Sequence, residues 1–249
     1  MGQTNLTTKK DHRSTQKLTV GVNYWPASSG PLMWQEWSDE EVSEDFSRMK
    51  TTGLNSARIF LFLRDFMPSS TSVEEASLRK LDRVMEIARQ NSIALYPSIF
   101  VGHMSGENWD FPWRNGEDFY SNEKMLKAEE LLVRTLARRY KKEKQIAGWI
   151  LSNELSIYAG DPNPYVARSW TERMIRAMRE EGDHHPIGTG DGLFSQGFRV
   201  EWLVDLLDWI GPHVYTYFGL VIDPIKWSFL HEAKVAYSTL PFSILQGVV

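Results

Sequence analysis

From Leu18 onward, short runs of β-branched and aromatic residues alternate with longer stretches in which apolar side chains return every three or four positions. Repeated βα units around a parallel sheet produce this alternation, because such strands are buried on both faces and the helices on one. Seven strands are predicted, at 18–25 (LTVGVNYW), 54–62 (LNSARIFLF), 93–100 (IALYPSIF), 146–153 (IAGWILSN), 185–190 (HPIGTG), 208–217 (DWIGPHVYTY) and 241–245 (PFSIL). Three intervening helices have readable ends. Ser38 and Asp39 open one that stops at Gly53, Ser72 precedes a run through Arg89, and 123–142 carries a Leu/Val stripe at helical spacing. The basic RRYKKEK at the end of the third suits a helix C-terminus and reads as solvated surface.

No glycine-rich phosphate loop follows the first strand, where GVNYWP stands in place of G-x-G-x-x-G, so a dinucleotide fold is disfavoured. The expectation is an α/β fold of the (β/α)8 TIM barrel type, incomplete at about seven strands because no eighth is found. Residues 18–249 are read as one barrel domain and the polar residues 1–17 as a loose tail. In a barrel the chemistry sits where strands end at their C-terminal face, which directs attention to those positions. The long 102–122 segment after the third strand, GHMSGENWDFPWRNGEDFYSN, carries Trp109, Phe111 and Trp113 and is expected to form a binding wall.

Composition narrows the chemistry. A formal net charge of -4 offers nothing to a polyanion, so no nucleic-acid partner is expected. With no cysteine, disulfides, thiolate zinc sites and thiol nucleophiles are excluded. His184-His185 lacks a supporting Asp/Glu constellation and is not read as a metal site, so neither metal nor cofactor is predicted. No stretch approaches the ~18 apolar residues of a membrane span, and residues 1–17 contain no signal-peptide core, which points to a cytoplasmic protein with secretion left open. Ten tryptophans are more than a core usually needs, and flat rings also serve as platforms for the apolar faces of sugars.

The predicted strand ends carry a polar ring: Asn23, Tyr24 and Trp25 after the first, Arg58 in the second, His103 after the third, Asn153 and Glu154 at the fourth, and His213 and Tyr215 on the sixth. The two-residue spacing of His213 and Tyr215 turns both the same way. A carboxylate closing the apolar run IAGWILSNE is costly to bury without a purpose. WILSNE, together with Arg58 and His213-Val-Tyr215, resembles glycoside hydrolase family 5, the cellulase and mannanase family of retaining (β/α)8 barrels, over about residues 18–246. The resemblance implies that Glu154 is the general acid/base and that Asn153 contacts a sugar 2-hydroxyl. It also implies that Arg58, His213 and Tyr215 surround the nucleophile and that His103 corresponds to the family's third-strand histidine. Trp25, Trp109 and Trp113 are the candidate sugar platforms. The implied substrate is a β-1,4-linked oligo- or polysaccharide of mannan or cellulose type, cleaved with two carboxyl groups and no cofactor.

One departure stands out. The family's nucleophile glutamate is expected where Gly247 follows Pro241 to Gln246, and no later residues supply an eighth strand. The sequence therefore also admits a second reading, a non-catalytic sugar-binding barrel that kept the cleft and lost the nucleophile.

Overall fold

A computed structural model describes residues 18–104, 106–190 and 200–211. Strand β1 (Gly21–Asn23) leads through a 3-10 turn at Gly30–Leu32 to helix α1 (Asp39–Thr51). Strand β2 (Ser56–Phe60) is followed by the single turn α2 (Leu63–Phe66) and by α3 (Glu75–Asn91). After β3 (Ala94–Val101) comes a small antiparallel hairpin, β4 (His103–Met104) with β5 (Glu107–Asn108), and then α4 (Glu123–Tyr140). Strand β6 (Trp149–Asn153) passes into the short α5 (Leu155–Ala159) and the long α6 (Pro164–Glu180). The last described elements are β7 (Ile187–Gly190) and α7 (Val200–Leu203).

The main sheet has the order β1-β2-β3-β6-β7, and every pairing is parallel. The order never reverses along the chain. A doubly wound sheet turns back at a switch point, whereas a barrel wall adds each new strand on the same side, so this is an arc of a (β/α) barrel. Strands β2 and β6 are buried at every position, as expected of a sheet with helices on one side and a packed barrel interior on the other.

Local chemistry fixes where the helices begin. The Ser38 hydroxyl accepts from Glu41 N at the head of α1, and three acidic residues in that first turn oppose the helix dipole. Asn122 caps α4 by accepting from Lys124 N and Met125 N, while Asn163 caps α6 with Pro164 just inside it. The second helix starts later than its sequence signal: Ser69 and Ser72 bridge each other in a turn, and Glu74 provides the cap. Helix α1 packs on α3 and α4 on α6, closing the outer layer.

Three indoles, Trp34, Trp149 and Trp170, are fully buried, and each N–H is satisfied, by Phe60 O at 2.7 Å, Asp183 Oδ2 at 3.0 Å and Glu129 Oε2 at 2.7 Å. Much of the tryptophan excess is therefore core. Beyond β7, Asp208 N reaches Ile187 O at 2.9 Å and Gly211 N reaches Thr189 O at 3.0 Å, so the predicted sixth strand begins alongside β7. Gly188 permits that approach, because a Cβ there would stand 2.6 Å from the Trp209 ring. The rest of that candidate, with His213 and Tyr215, lies outside the described residues, as do the seventh candidate at 241–245, residues 1–17 and Gly247. No helix of the described residues is long and apolar enough to cross a membrane.

Candidate active site

Strand β6 delivers Asn153 and Glu154 to the C-terminal edge of the sheet. Glu154 N still donates to Gly190 O at 3.1 Å, so the ladder to β7 holds through this residue before the chain turns into α5. The turn is made in the left-handed region, with Glu154 at φ 49° and ψ 39°. A non-glycine residue there carries a cost of about 1–2 kcal/mol. Among the described residues the other two non-glycine residues with positive φ are Ser92 and Asn115, short polar residues at helix ends, so a glutamate in this conformation is the unusual case. Its side chain makes no capping hydrogen bond to α5.

Asn153 is the hub beside it. Fully buried, it accepts at Oδ1 from Arg58 Nη2 at 2.5 Å and donates from Nδ2 to His103 O at 2.6 Å. Its Nδ2 also meets Met104 Sδ at 3.8 Å, a weak acceptor. Arg58, 7% exposed, also donates from Nε to Ser98 Oγ at 2.7 Å and lies 5.0 Å over the Phe60 ring. Three strands thus lock one guanidinium in a single orientation, at the place where the resemblance puts the family's arginine.

His103 opens the β4–β5 hairpin, and its Nδ1 stands 2.7 Å from Asn108 Oδ1. Its backbone carbonyl, not its ring, joins it to Asn153. Among the predicted platforms, Trp25 packs on Phe60 and Phe62 at 5.4 and 5.5 Å between ring centres, and Trp109 packs on Phe62 at 5.5 Å. Both are half-buried and belong to one aromatic wall that continues into Arg58 through Phe60. The Arg64 guanidinium covers Trp109 at 4.5 Å and hydrogen bonds to Pro31 O, tying together the segments that follow β1, β2 and β3. Trp113 is set apart: its ring packs tilted against Phe111 at 4.5 Å and its N–H donates to Met67 O at 2.8 Å.

The 102–122 segment is thus built, not slack. Phe62, which packs on Trp25 and Trp109, and Ser98, which holds Arg58, are buried supporting residues that the sequence reading passed over. Phe62 had a signal: it continues the two-residue alternation from Arg58 through Phe60. Ser98 had none, because its role depends on the β2–β3 register.

His185 Nδ1 faces Asp183 Oδ1 at 2.7 Å and its Nε2 faces Glu143 O at 2.8 Å, so both ring nitrogens are engaged. Among the described residues no group of three or more His, Asp or Glu side chains is arranged to hold a metal.

No protein-family model matches the chain. Among curated proteins it is 23% identical over 235 residues to a probable mannan endo-1,4-β-mannosidase A-2 of Aspergillus terreus, covering 86% of this chain and 57% of that one. A probable mannan endo-1,4-β-mannosidase A of Aspergillus clavatus is 27% identical over 145 residues, 56% of this chain and 37% of its own length. Among solved structures, the exo-β-1,4-mannosidase of Opitutaceae bacterium strain TAV5 superposes with a TM-score of 0.66 at 30% identity, over 70% of this chain and 32% of that one. The endo-1,4-β-mannanase of Rhizomucor miehei superposes with a TM-score of 0.70 at 17% identity, over 90% and 74%. The chain spans about half the length, or less, of the curated relatives it matches here. Its described residues form an arc of a (β/α) barrel, and the chain is similar in sequence and fold to mannan-cleaving glycoside hydrolases.

Proposed function

We propose that the chain carries the substrate cleft and the acid/base half of a retaining glycoside hydrolase directed at β-1,4-linked glycans of mannan type. The observation that carries this reading is the locked Arg58–Asn153 pair beside Glu154 at the end of β6. The mannanase-type relatives support mannan over cellulose as the substrate class.

In this mechanism Glu154 is protonated when the glycan binds and gives its proton to the departing glycosidic oxygen, while a carboxylate on the opposite face attacks the anomeric carbon. The ionised Glu154 then takes a proton from the water that releases the glycosyl group. Asn153 holds the sugar 2-hydroxyl, and Trp25 and Trp109 offer ring faces along the wall. Position 247, where the resemblance expects the attacking carboxylate, is a glycine. On this reading the chain as it stands binds such glycans but hydrolyses them at or near background, because a glycine has no group to attack with.

Small-anion rescue tests the proposal. Azide at about molar concentration, given with an aryl β-mannoside bearing a good leaving group, should attack the anomeric carbon as the aryl oxide departs and yield the α-mannosyl azide. Without azide, mannan should release little reducing sugar. Rapid mannan hydrolysis without azide would show that the second carboxylate lies elsewhere, and binding of mannohexaose with no azide product would favour the sugar-binding barrel.

A further inference from the structure

Tyr158 lies one helical turn beyond Glu154, on α5. Its ring presses against Gly102, where a Cβ would stand 2.1 Å from Cδ1, so the glycine that precedes His103 is needed to seat it. The Tyr158 hydroxyl donates to Asp110 Oδ1, the residue after Trp109. Asp110 also accepts from Phe111 N at 2.8 Å, and its Oδ2 is 3.6 Å from Arg114. Arg114 in turn lies 4.6 Å over the Tyr158 ring and donates from Nε to Glu117 O at 3.0 Å. Burial, followed by the Asp110 hydrogen bond, raises the Tyr158 phenol well above its ordinary range, so it remains a donor at every working pH.

Helix α5 has only five residues, and Leu155 is its one buried side chain. Such a short helix has little stability of its own and takes its position from what it touches. What it touches is the 102–122 segment: Tyr158 through Asp110 and Gly102, and the end of the helix through Tyr120 OH to Gly160 O at 3.2 Å. The same segment carries Trp109.

We propose that Tyr158, with Asp110 and Arg114, is a positioning residue: a clasp that fixes the Trp109 wall relative to Glu154 and so sets the width of the glycan cleft. The proposal rests on the reading of Glu154 and the wall as a β-1,4-glycan site. The clasp touches no substrate and acts through the two elements it joins.

The test is calorimetric binding of β-1,4-mannohexaose to the full chain and its variants, with thermal midpoints recorded alongside. Tyr158→Phe keeps the ring against Gly102 and removes only the hydroxyl. It should weaken binding roughly three- to tenfold, the worth of one hydrogen bond, at a temperature where all samples are folded. Asp110→Asn keeps an acceptor at Oδ1 and should stay within about twofold of the parent. Asp110→Ala should match Tyr158→Phe or exceed it, and the double variant Tyr158→Phe/Asp110→Ala should be no weaker than Asp110→Ala alone, because both break one link. Lower thermal midpoints with unchanged affinity would make the clasp merely structural and overturn the proposal, as would additive losses in the double variant. A parent that binds no mannohexaose would overturn the glycan-site reading itself, and the clasp with it. Binding by the parent that Tyr158→Phe leaves untouched would overturn the clasp alone.

Discussion

Strand β6 is five residues long, and its two ends hold opposite kinds of polar site. At its start, Trp149 donates to Asp183 Oδ2, and Asp183 Oδ1 accepts from His185 N at 2.8 Å and faces the His185 ring. Arg179 holds the carbonyls of Asp183 and His185 and pairs with Asp208, which in turn accepts from Ile187 N at 2.9 Å. Each partner here is another part of the same protein. At its end, Asn153 spends a hydrogen on Met104 sulfur and Glu154 occupies a strained left-handed turn. On the proposed reading, the contrast is the division of labour of a (β/α) barrel: polar contacts at the base serve stability, and those at the mouth serve a ligand.

If that division is right, substitutions at the two ends separate activity from stability. Glu154→Gln is the extreme case at the mouth. Anion-rescued turnover of glycosides with poor leaving groups should fall roughly 10²- to 10⁴-fold, the usual worth of general acid assistance, while activated aryl glycosides suffer far less. The thermal midpoint should hold steady, since the backbone turn at residue 154 is unchanged. A loss within about threefold on poor leaving groups would remove Glu154 from the acid role.

Asp183→Asn is the counterpart at the base. It leaves the half-buried His185 ring with a neutral partner at the buried Asp183 position and should cost roughly 3 kcal/mol, the lower end for breaking a buried pair. In a chain of this size that corresponds to about 6–12 °C in thermal midpoint. Mannohexaose affinity below the transition should be unchanged. If affinity fell in step with stability, the two ends would not be independent.

The base also predicts a pH window. The Asp183 hydrogen bond holds the His185 ring above its ordinary 6.5, so the stability it contributes is complete below that value and is lost as pH rises through the raised folded pKa. Burial alone would raise the Asp183 carboxyl, but its bonds to His185 outweigh this and leave it below the ordinary 3.8. The stability it contributes is present above 3.8 and lost as pH falls through the lowered folded value. The contribution of the pair is therefore greatest between these two ordinary values. Thermal midpoints of the parent and Asp183→Asn across pH 3 to 9 would check this, with the gap narrowing at both extremes.

The smallest expected effect concerns Glu129, wholly buried between α4 and α6. One of its oxygens accepts from Trp170 Nε1, and the other has no hydrogen-bond partner. Burial pushes its carboxyl well above 4.5, so the folded state keeps a proton that the unfolded chain releases. Stability therefore declines as pH rises above 4.5. Glu129→Gln should flatten that decline and gain a little stability at pH 8 while changing nothing at the mouth. A parent and variant with parallel pH profiles would show that Glu129 does not titrate as its burial implies.

The sequence made β1, β2, β3, β6 and β7 legible because short runs of β-branched and aromatic residues alternate with helical periodicity, and a run such as WILSN marks its own end with polar residues. Glu154, Asn153 and Arg58 followed from knowing which strand ends to inspect. Helix α6 passed unread although Asn163 and Pro164 announce it, because its charged residues interrupt the apolar stripe of Trp170, Met174 and Met178. Helix α5 could not be read at all: five residues do not complete two helical turns, and tertiary contacts with 102–122 decide its existence. The partition of the tryptophans was equally hidden. Trp25 and Trp109 share the wall while Trp113 turns away; the Trp109 indole reaches Met104 O and the Trp113 indole Met67 O, a difference that tertiary placement decides.

The most direct test is a crystal structure of Glu154→Gln soaked with β-1,4-mannotriose. A glycosidic oxygen within hydrogen-bond reach of the residue 154 side chain, a sugar 2-hydroxyl on Asn153, and pyranose faces against Trp25 or Trp109 are the predicted result. A sugar bound elsewhere on the barrel, or an empty mouth at saturating ligand, would contradict it.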